Sequence, residues 1–510
     1  MALLDISLPK SIANALRLPS NSPGRQQERV LAKLLKKGKY TQFGQHFSFD
    51  SILESKDFIN AFRNAVPAYD YTTLHGEWWN KTLEGTADVC WPGNINYFAL
   101  SSGTSGAASK YIPVTKDLMK GNRIVMIKQL LSLRLYENIP LKTIGKGFLM
   151  LGGSTDLQKG PGYFAGDLSG ITAKKAPFWF SPFYRPGKKI ARTRDWNTKL
   201  EAIVSEAPNW DIGCVVGVPA WIQMCMEMII QRYGLNNIHE IWPNLSIFCH
   251  GGVAFEPYRK GFERLLGKPL IYIETYLASE GFLAYQDRPD PDGMKLVLNQ
   301  HIFFEFVPFD EENFDGDGNI IRHPKSYLID EVEGDRDYAI LISTSAGAWR
   351  YLIGDTIRFV NKERSEIIIT GRTKHFLSLV GEHLSVDNMN RAIQIANEKH
   401  NISIAEFTVA GIPVDGFFGH HWYVGVDENV DAGELRTTID QSLMELNDDY
   451  AVERKSALKN IIVDVLPERV FMEFMEEKGK MGGQHKFPRV LKGKILEEWQ
   501  DFLKKFRTEN

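Results

Sequence analysis

Asn96-Tyr97-Phe98-Ala99-Leu100-Ser101-Ser102-Gly103-Thr104-Ser105-Gly106-Ala107-Ala108-Ser109-Lys110 runs from a strand-like apolar stretch into a loop of glycines and small hydroxyl residues that ends on a lysine. Such a loop lets a backbone wrap closely around phosphates, with amides and hydroxyls donating hydrogen bonds and the lysine adding a point charge. The GxxxxGK[ST] spacing of the common phosphate loop is absent. Taken alone, a Ser/Gly loop is as often a flexible turn. Other segments decide between the two.

Around this loop the pattern changes twice. Before it, residues 1–95 read as mostly helical, with Val30, Leu31, Leu34 and Leu35 at helical spacing ahead of the basic run Lys36-Lys37-Gly38-Lys39. From about 97 to 370, apolar runs alternate with helical segments, which predicts α/β layers. The runs are Gly147 to Leu151, Ile212 to Val216, Ser246 to Phe248 and Pro269 to Ile273, with further strands expected over 294–308 and 338–344. Residues 374–510 have an α+β pattern of their own: strands at Phe407 to Ile412 and His421 to Val426, helices at 432–446 and 449–459. The polar stretch Thr370-Gly371-Arg372-Thr373-Lys374-His375 separates the two patterns. The expected fold class is therefore α/β: a large N-terminal domain of layered sheets over 1–373 and a smaller α+β domain over 374–510.

Composition narrows the function. The chain has 510 residues, too many for one ordinary domain, with 43% apolar, 12% aromatic and 24% charged residues. Sixty basic against 63 acidic residues give a net charge of −3, without the basic excess that nucleic-acid binding draws on. Cys90, Cys214, Cys225 and Cys249 form no CxxC pair and read as buried thiols of a reducing compartment. No signal-peptide core follows Met1, and no uncharged apolar stretch reaches the roughly 18 residues of a membrane helix. A soluble, cytoplasmic protein without membrane or nucleic-acid partners is expected, and no obligate protein partner is evident.

Four further segments follow the loop in fixed order. They are His250-Gly251-Gly252, Glu274-Thr275-Tyr276-Leu277-Ala278-Ser279-Glu280-Gly281, Trp349-Arg350-Tyr351-Leu352-Ile353-Gly354-Asp355, and Gly371-Arg372-Thr373-Lys374. As a set they resemble the core motifs of the adenylate-forming superfamily of acyl-CoA synthetases, luciferases and peptide adenylation domains. The closer resemblance is to the GH3 family of acyl acid–amido synthetases. It rests on Val66-Pro67-Ala68-Tyr69-Asp70-Tyr71 upstream of the loop, Ser101 to Pro113, Ala278 to Gly281, Thr344 to Asp355, Gly419 to Val424, and Lys486-Phe487-Pro488-Arg489. These span roughly residues 40–490.

That resemblance implies a ligase that uses ATP and Mg²⁺ to turn a carboxylic acid into an acyl-AMP and passes the acyl group to an amino acid. Two alternatives stand beside it: transfer to a thiol such as CoA, or a non-catalytic nucleotide- or acyl-binding protein. It also implies roles. The loop Ser101-Ser102-Gly103-Thr104-Ser105-Gly106 and Lys110 would hold the phosphates, with Ser279 on the α-phosphate. Glu280 would ligate Mg²⁺, a hard cation that wants carboxylate oxygen. Tyr276 would pack on the adenine, and Asp355, supported by Arg372, would take the ribose hydroxyls. Lys486 is the candidate catalytic lysine of the C-terminal part, with Lys492 and Lys494 competing because the superfamily's PKTxxGK pattern is not matched. The acyl pocket is placed near Val218, Gly251, Gly252 and Val253.

Other residues invite plainer readings. His420-His421 has no partner at metal-ligand spacing, so one core and one surface histidine are expected. Cys249 is read as a strand-end thiol, and the cluster Phe178-Trp179-Phe180…Phe183-Tyr184 as core.

Overall fold

The computed structural model describes residues 22–509 apart from 102–109, 138, 141, 142, 144, 253, 254, 316, 317, 335, 374, 375, 378, 381, 383, 405, 415, 416 and 479–486. Helix α1 (Pro23–Gly38) opens with the Ser22 side chain accepting from the Arg25 amide and with proline in its first turn. Val30, Leu31, Leu34 and Leu35 form its buried stripe, while Lys36 and Lys37 fall in the last turn, where cations suit the helix dipole. Gln27 ties the helix to the sheet. Its Nε2 donates to the Leu298 and Ile302 carbonyls, and its Oε1 accepts from the Phe304 amide. Helix α2 (Phe58–Ala65) leads into Val66–Tyr71.

Two sheets follow. In the smaller, β1 (Tyr97–Ser101) pairs antiparallel with β2 (Lys110–Pro113) in a register that sets Ser101 opposite Lys110. The stems of the phosphate-type loop are thereby fixed, while residues 102–109 lie outside the described residues. Helix α3 (Lys116–Ser132) comes next. Strand β3 (Gly147–Met150) belongs to the large sheet; β4 (Gln158–Gly160) and β5 (Tyr163–Gly166) complete the small one in the order β2-β1-β5-β4.

The large sheet adds β6 (Tyr184–Arg185), β7 (Ile212–Gly217), β8 (Ile247–Gly251), β9 (Ile271–Ala278), β10 (Gly281–Tyr285), β11 (Met294–Leu296), β12 (Ile302–Pro308), β13 (Asp337–Thr344), β14 (Tyr351–Asn361) and β15 (Glu366–Arg372). Its order is β12-β13-β14-β15-β11-β10-β9-β8-β7-β3-β6. From β9 to β6 the pairing is parallel; from β10 to β12 it is antiparallel. Of the parallel strands, β7 carries no charged or polar side chain and is buried over Ile212 to Val215, as a strand covered on both faces should be. Helices α4 (Trp196–Glu206), α5 (Pro219–Tyr233) and α6 (Glu256–Glu263) lie between them in the chain.

The sequence reading over 294–308 breaks into β11 and β12, because the chain turns at Asn299 to His301. The aromatic cluster is only partly core: Tyr184 is buried, whereas Phe178 is 89% exposed.

The C-terminal part carries the short hairpin β16 (Phe376–Leu377) and β17 (Leu384–Ser385), helix α7 (Val386–His400), β18 (Glu406–Val414), β19 (Phe417–Gly425), α8 (Ala432–Leu446), α9 (Asp448–Lys455), β20 (Leu458–Leu466), α10 (Arg469–Glu477), β21 (Val490–Leu491) and α11 (Gly493–Glu509). Its four-stranded sheet has the order β20-β19-β18-β21. The helix expected over 449–459 stops at Lys455, since the chain from Leu458, with Ile461, Ile462, Val463 and Val465 β-branched, pairs in parallel with β19. Phe471, Phe474, Phe487, Trp499 and Leu503 pack one face of this sheet. His420 is fully buried, its Nε2 2.9 Å from Glu382, while His421 reaches Asp464 at the half-buried edge. Burial opposes the Glu382 charge, but His420 and backbone amides outweigh it and hold this carboxyl below its usual range.

Residues of both parts share one apolar cluster, including Ile222, Met226 and Phe248 on one side and Leu377, Met389 and Leu443 on the other. At this junction the Trp221 indole N–H, on α5, donates to Glu453 Oε1 on α9 at 3.1 Å, and Ser456 Oγ donates to Oε2 at 2.8 Å. Among the described residues no lysine or arginine pairs with the Glu453 carboxyl. Burial, with Glu382 and Asp449 adding like charge, pushes it up to about 8 against an ordinary value of 4.5, although Ser456 and Trp221 pull the other way. The folded chain therefore keeps a proton here that the unfolded chain has released above 4.5. Stability falls as pH rises between those values, by up to about 1.4 kcal/mol per pH unit. Glu453→Gln keeps the acceptor without the charge. It should flatten the drop in thermal midpoint between about pH 6 and about pH 8; an unchanged slope in a thermal melt would refute the assignment.

Candidate active site

In a parallel sheet, ligands meet the protein beyond the carboxyl ends of the strands, where strand direction or order switches. Here the switch lies at β9/β10, and the expected site residues gather at those ends: Val218 after β7, Gly251 and Gly252 at the end of β8, Ser279 and Glu280 after β9. Ser279 and Glu280 are the two residues of the turn between β9 and β10, because Ala278 pairs with Gly281. A carboxylate at a turn tip is normally solvated, yet Glu280 is only 8% exposed. Burial raises its carboxyl above the usual range; Lys110, its own amide and the Tyr351 hydroxyl pull it back, and Asp355 adds to the rise.

Gly251 must be glycine for close approach. A Cβ there would stand 2.3 Å from the Thr275 carbonyl oxygen, on the strand that carries Tyr276. A Cβ at Gly252 would lie 3.5 Å from Val218 Cγ2, so these two residues are neighbours. Val253 lies outside the described residues.

Asp355 and Arg372 are Cα partners across β14 and β15, and this register brings Arg372 Nη1 to 2.9 Å from Asp355 Oδ1. Gly354 precedes Asp355 with φ +93°, a left-handed conformation that favours glycine. The Tyr276 hydroxyl donates to Asp355 Oδ2. Burial and then Asp355 hold the Tyr276 phenol far above its usual range, so it stays a donor. Burial opposes the Arg372 charge, but Asp355 leads the carboxylates and phenols that keep it raised.

Lys110 completes the group. Its ammonium lies 5.5 Å from the centre of the Tyr71 ring, whose hydroxyl accepts from the Tyr111 amide at 2.9 Å. The structure thus brings Lys110, Tyr276, Glu280, Asp355 and Arg372 into one connected constellation. Ser101 stands at the loop stem. Ser102, Gly103, Thr104, Ser105, Gly106 and Lys486 lie outside the described residues. Lys494 is 88% exposed in side chain at the start of α11, whereas burial lowers the Lys492 ammonium against the pull of Glu382.

Sequence reading gave no role to several neighbours. Tyr71 stood inside one of the motifs, but only the packing shows that its ring faces Lys110. A cavity of about 650 Å³ opens beside β9 at Tyr272 and Glu274, and its lining includes His250, Phe255, Arg259 and Gln286. The Arg259 guanidinium stacks 5.0 Å and 5.1 Å from the Phe255 and Tyr272 rings. Burial, then Arg259, pushes the His250 imidazole down to about 4, so it is neutral near pH 7. His250 and Glu274 stood in motifs, but Arg259, Tyr272 and Gln286 carry no periodic or motif signal.

Residues 13–207 match the GH3 family N-terminal domain, 295–366 its central domain and 387–494 its C-terminal domain. The chain belongs to the GH3 family. Among relatives of this GH3 chain, the indole-3-acetic acid-amido synthetase GH3.4 of Arabidopsis thaliana is 21% identical, over 92% of this chain and 90% of that one. The jasmonoyl–L-amino acid synthetase JAR6 of Nicotiana attenuata is also 21% identical, over 92% and 91%. Of solved structures, GH3.15 acyl acid amido synthetase aligns with a TM-score of 0.57 at 18% identity, covering 97% of this chain and 95% of that one. A 2-hydroxyisobutyryl-CoA ligase bound to its acyl-AMP and CoA also aligns at 0.57, with 12% identity and 96% of each chain covered. These two likenesses establish the adenylate-forming fold. Among the described residues no helix is long and apolar enough to cross a membrane.

Proposed function

We propose that this GH3 protein is an acyl acid–amido synthetase of the cytoplasm, which joins a carboxylic acid to an amino acid and converts ATP to AMP and pyrophosphate. The connected set Lys110–Glu280–Asp355–Arg372, beside the stems of a phosphate-type loop, carries this reading. A carboxylate oxygen of the acid attacks the α-phosphorus, and the bond to the pyrophosphate oxygen breaks. The amine nitrogen of the acceptor then attacks the acyl carbon; AMP leaves and the nitrogen gives up a proton.

The chain's part is positioning and charge. Asp355 anchors the ribose hydroxyls, with Arg372 fixing one of its oxygens. Tyr276 flanks the adenine. Ser101 to Gly106, Ser279 and Lys110 hold the phosphates. Among the described residues no group of three or more His, Cys, Asp and Glu could hold a metal by itself. Mg²⁺ suits such a place, since it is bound through one or two carboxylates plus substrate phosphates. Glu280 is the carboxylate that would hold it, and a cation held there would supply positive charge against the pyrophosphate. Val218, Gly251, Gly252 and Val253 border the acyl group.

We take residues 374–510 as a cap that turns on 1–373 about Thr373-Lys374, bringing Lys486 to the α-phosphate for the first step and clearing a path for the acceptor in the second. Lys492 and Lys494 are the alternatives for that lysine.

Asp355→Ala should leave a folded enzyme. Hydrogen bonds to a charged group contribute roughly 1.5–3 kcal/mol each, so losing two lowers kcat/KM for ATP by about two to four decades. Kinetics near wild type would remove Asp355 from the nucleotide site. Pyrophosphate release across a panel of carboxylic acids identifies the acid. Mass spectrometry of products formed with amino acids or with CoA should then show an acyl-amino acid; a thioester alone would make the protein an acyl-CoA ligase.

A further inference from the structure

The cavity of about 650 Å³ beside β9 has the size of a small-molecule pocket. Two of its polar groups are left open. His250 and Glu274 are Cα partners across β8 and β9, and Gly251 pairs with Thr275 one residue further on. The wall at His250 and Glu274 therefore begins beside Gly251 and Gly252. His250 is 5% exposed, yet its Nδ1 has no hydrogen-bond partner among the described residues. The Glu274 side chain is half-buried; burial raises its carboxyl above the usual range, and no cation offsets that rise. The polar groups around them are engaged elsewhere. Gln286 Oε1 accepts from the Glu274 amide and its Nε2 donates to the Arg288 carbonyl, both at 3.3 Å. The Arg259 guanidinium stacks on the Phe255 and Tyr272 rings and lies 3.9 Å from Glu263. Glu137 and Asp290, both exposed, add negative charge to the lining. An open carboxyl and imidazole between aromatic faces suit a ligand with an apolar body and an N–H or O–H donor. A second carboxylate or a phosphate would be repelled.

We propose that this cavity receives the side group of the carboxylic acid substrate, and that Glu274 and His250 select an acid carrying a hydroxyl or amino donor remote from its carboxylate. This rests on the reading that the protein activates an acid whose acyl group is bordered by Gly251 and Gly252. A site built to pair with a donor rejects the analogue that lacks it, because its own polar groups are then left unpaired. A purely structural carboxyl makes no such distinction: its loss lowers the use of every acid alike.

Phenylpropanoate, its para-hydroxy derivative and its para-aminomethyl derivative, an ammonium near pH 7, form the test set. With ATP and one fixed amino acid, kcat/KM for pyrophosphate release should be at least about tenfold higher for both donor-bearing acids than for the parent. Glu274→Leu should bring both ratios to about one. Glu274→Gln keeps an acceptor without the charge, so it should retain the preference for the hydroxyl and lose that for the ammonium; its near-identical shape keeps the test open if Glu274→Leu does not fold. Equal use of the three acids by the wild type, ratios unchanged in both variants, or a preference that follows the side chain of the amino acid acceptor instead would each overturn the proposal. Calorimetric titration of the para-hydroxy acid into the protein without ATP separates this from the wider reading. Binding that Glu274→Leu weakens by about tenfold, with no pyrophosphate released from any acid, keeps the donor-selecting cavity and removes the ligase assignment; no binding by the wild type overturns the proposal itself.

Discussion

Arg350 and Glu305 each have a side chain about 1% exposed, and they meet with Nε 3.0 Å from Oε2 and Nη2 2.9 Å from Oε1. The remaining guanidinium donors go to the Arg63 and Val66 carbonyls at 2.8 Å and 2.7 Å and to Ser326 Oγ at 3.3 Å. One side chain therefore joins the end of α2, strand β12, the 326 loop and the start of β14. A charged group is tolerated in such a place only when geometry and donors are complete. The penalty for removing one partner fixes where β14 begins. Asp355 follows on that strand, so Arg372 finds its partner because Arg350 has found its own.

The site is an arrangement of opposed charges held away from water. Asp355 meets Arg372 across one strand pair, and Glu280 lies buried in the field of Lys110. Attractions of this kind are much stronger out of water than in it. They also keep each group in one orientation before a highly charged substrate arrives, so little reorganisation is left for the reaction. The phenols of Tyr276 and Tyr351, both held far above their usual range chiefly by burial, stay neutral and add no further charge, and the Tyr276 hydroxyl donates to Asp355.

Much of this was legible in the sequence because the decisive residues sit where elements end. The apolar runs before Val218, Gly251 and Ser279 announced strands of α/β layers; that they pair in parallel, with ligand-facing residues at their carboxyl ends, is seen in the fold. Arg372 and Asp355 stood in separate motifs, and only the β14/β15 register shows them as direct cross-strand partners. Tyr276 carries the same lesson. Its hydroxyl contact with Asp355 depends on a fold that brings residues 79 positions apart together. Glu453 gave no sign at all: an acidic residue on a polar helix reads as solvated until the Trp221 junction buries it. Phe178 misled in the other direction, since a short aromatic run says nothing about which ring faces out.

Two reactions at one carbonyl need two environments, which suits a large part that binds and a smaller part that turns. The central claim is that the acid is activated on the α-phosphorus at the Lys110–Glu280–Asp355–Arg372 constellation. Labelling both carboxylate oxygens of the substrate acid with oxygen-18 tests it directly. Attack on the α-phosphorus leaves one labelled oxygen on the phosphate of AMP after acyl transfer, and none on pyrophosphate. Label in inorganic phosphate alongside ADP, or unlabelled AMP, would contradict the account.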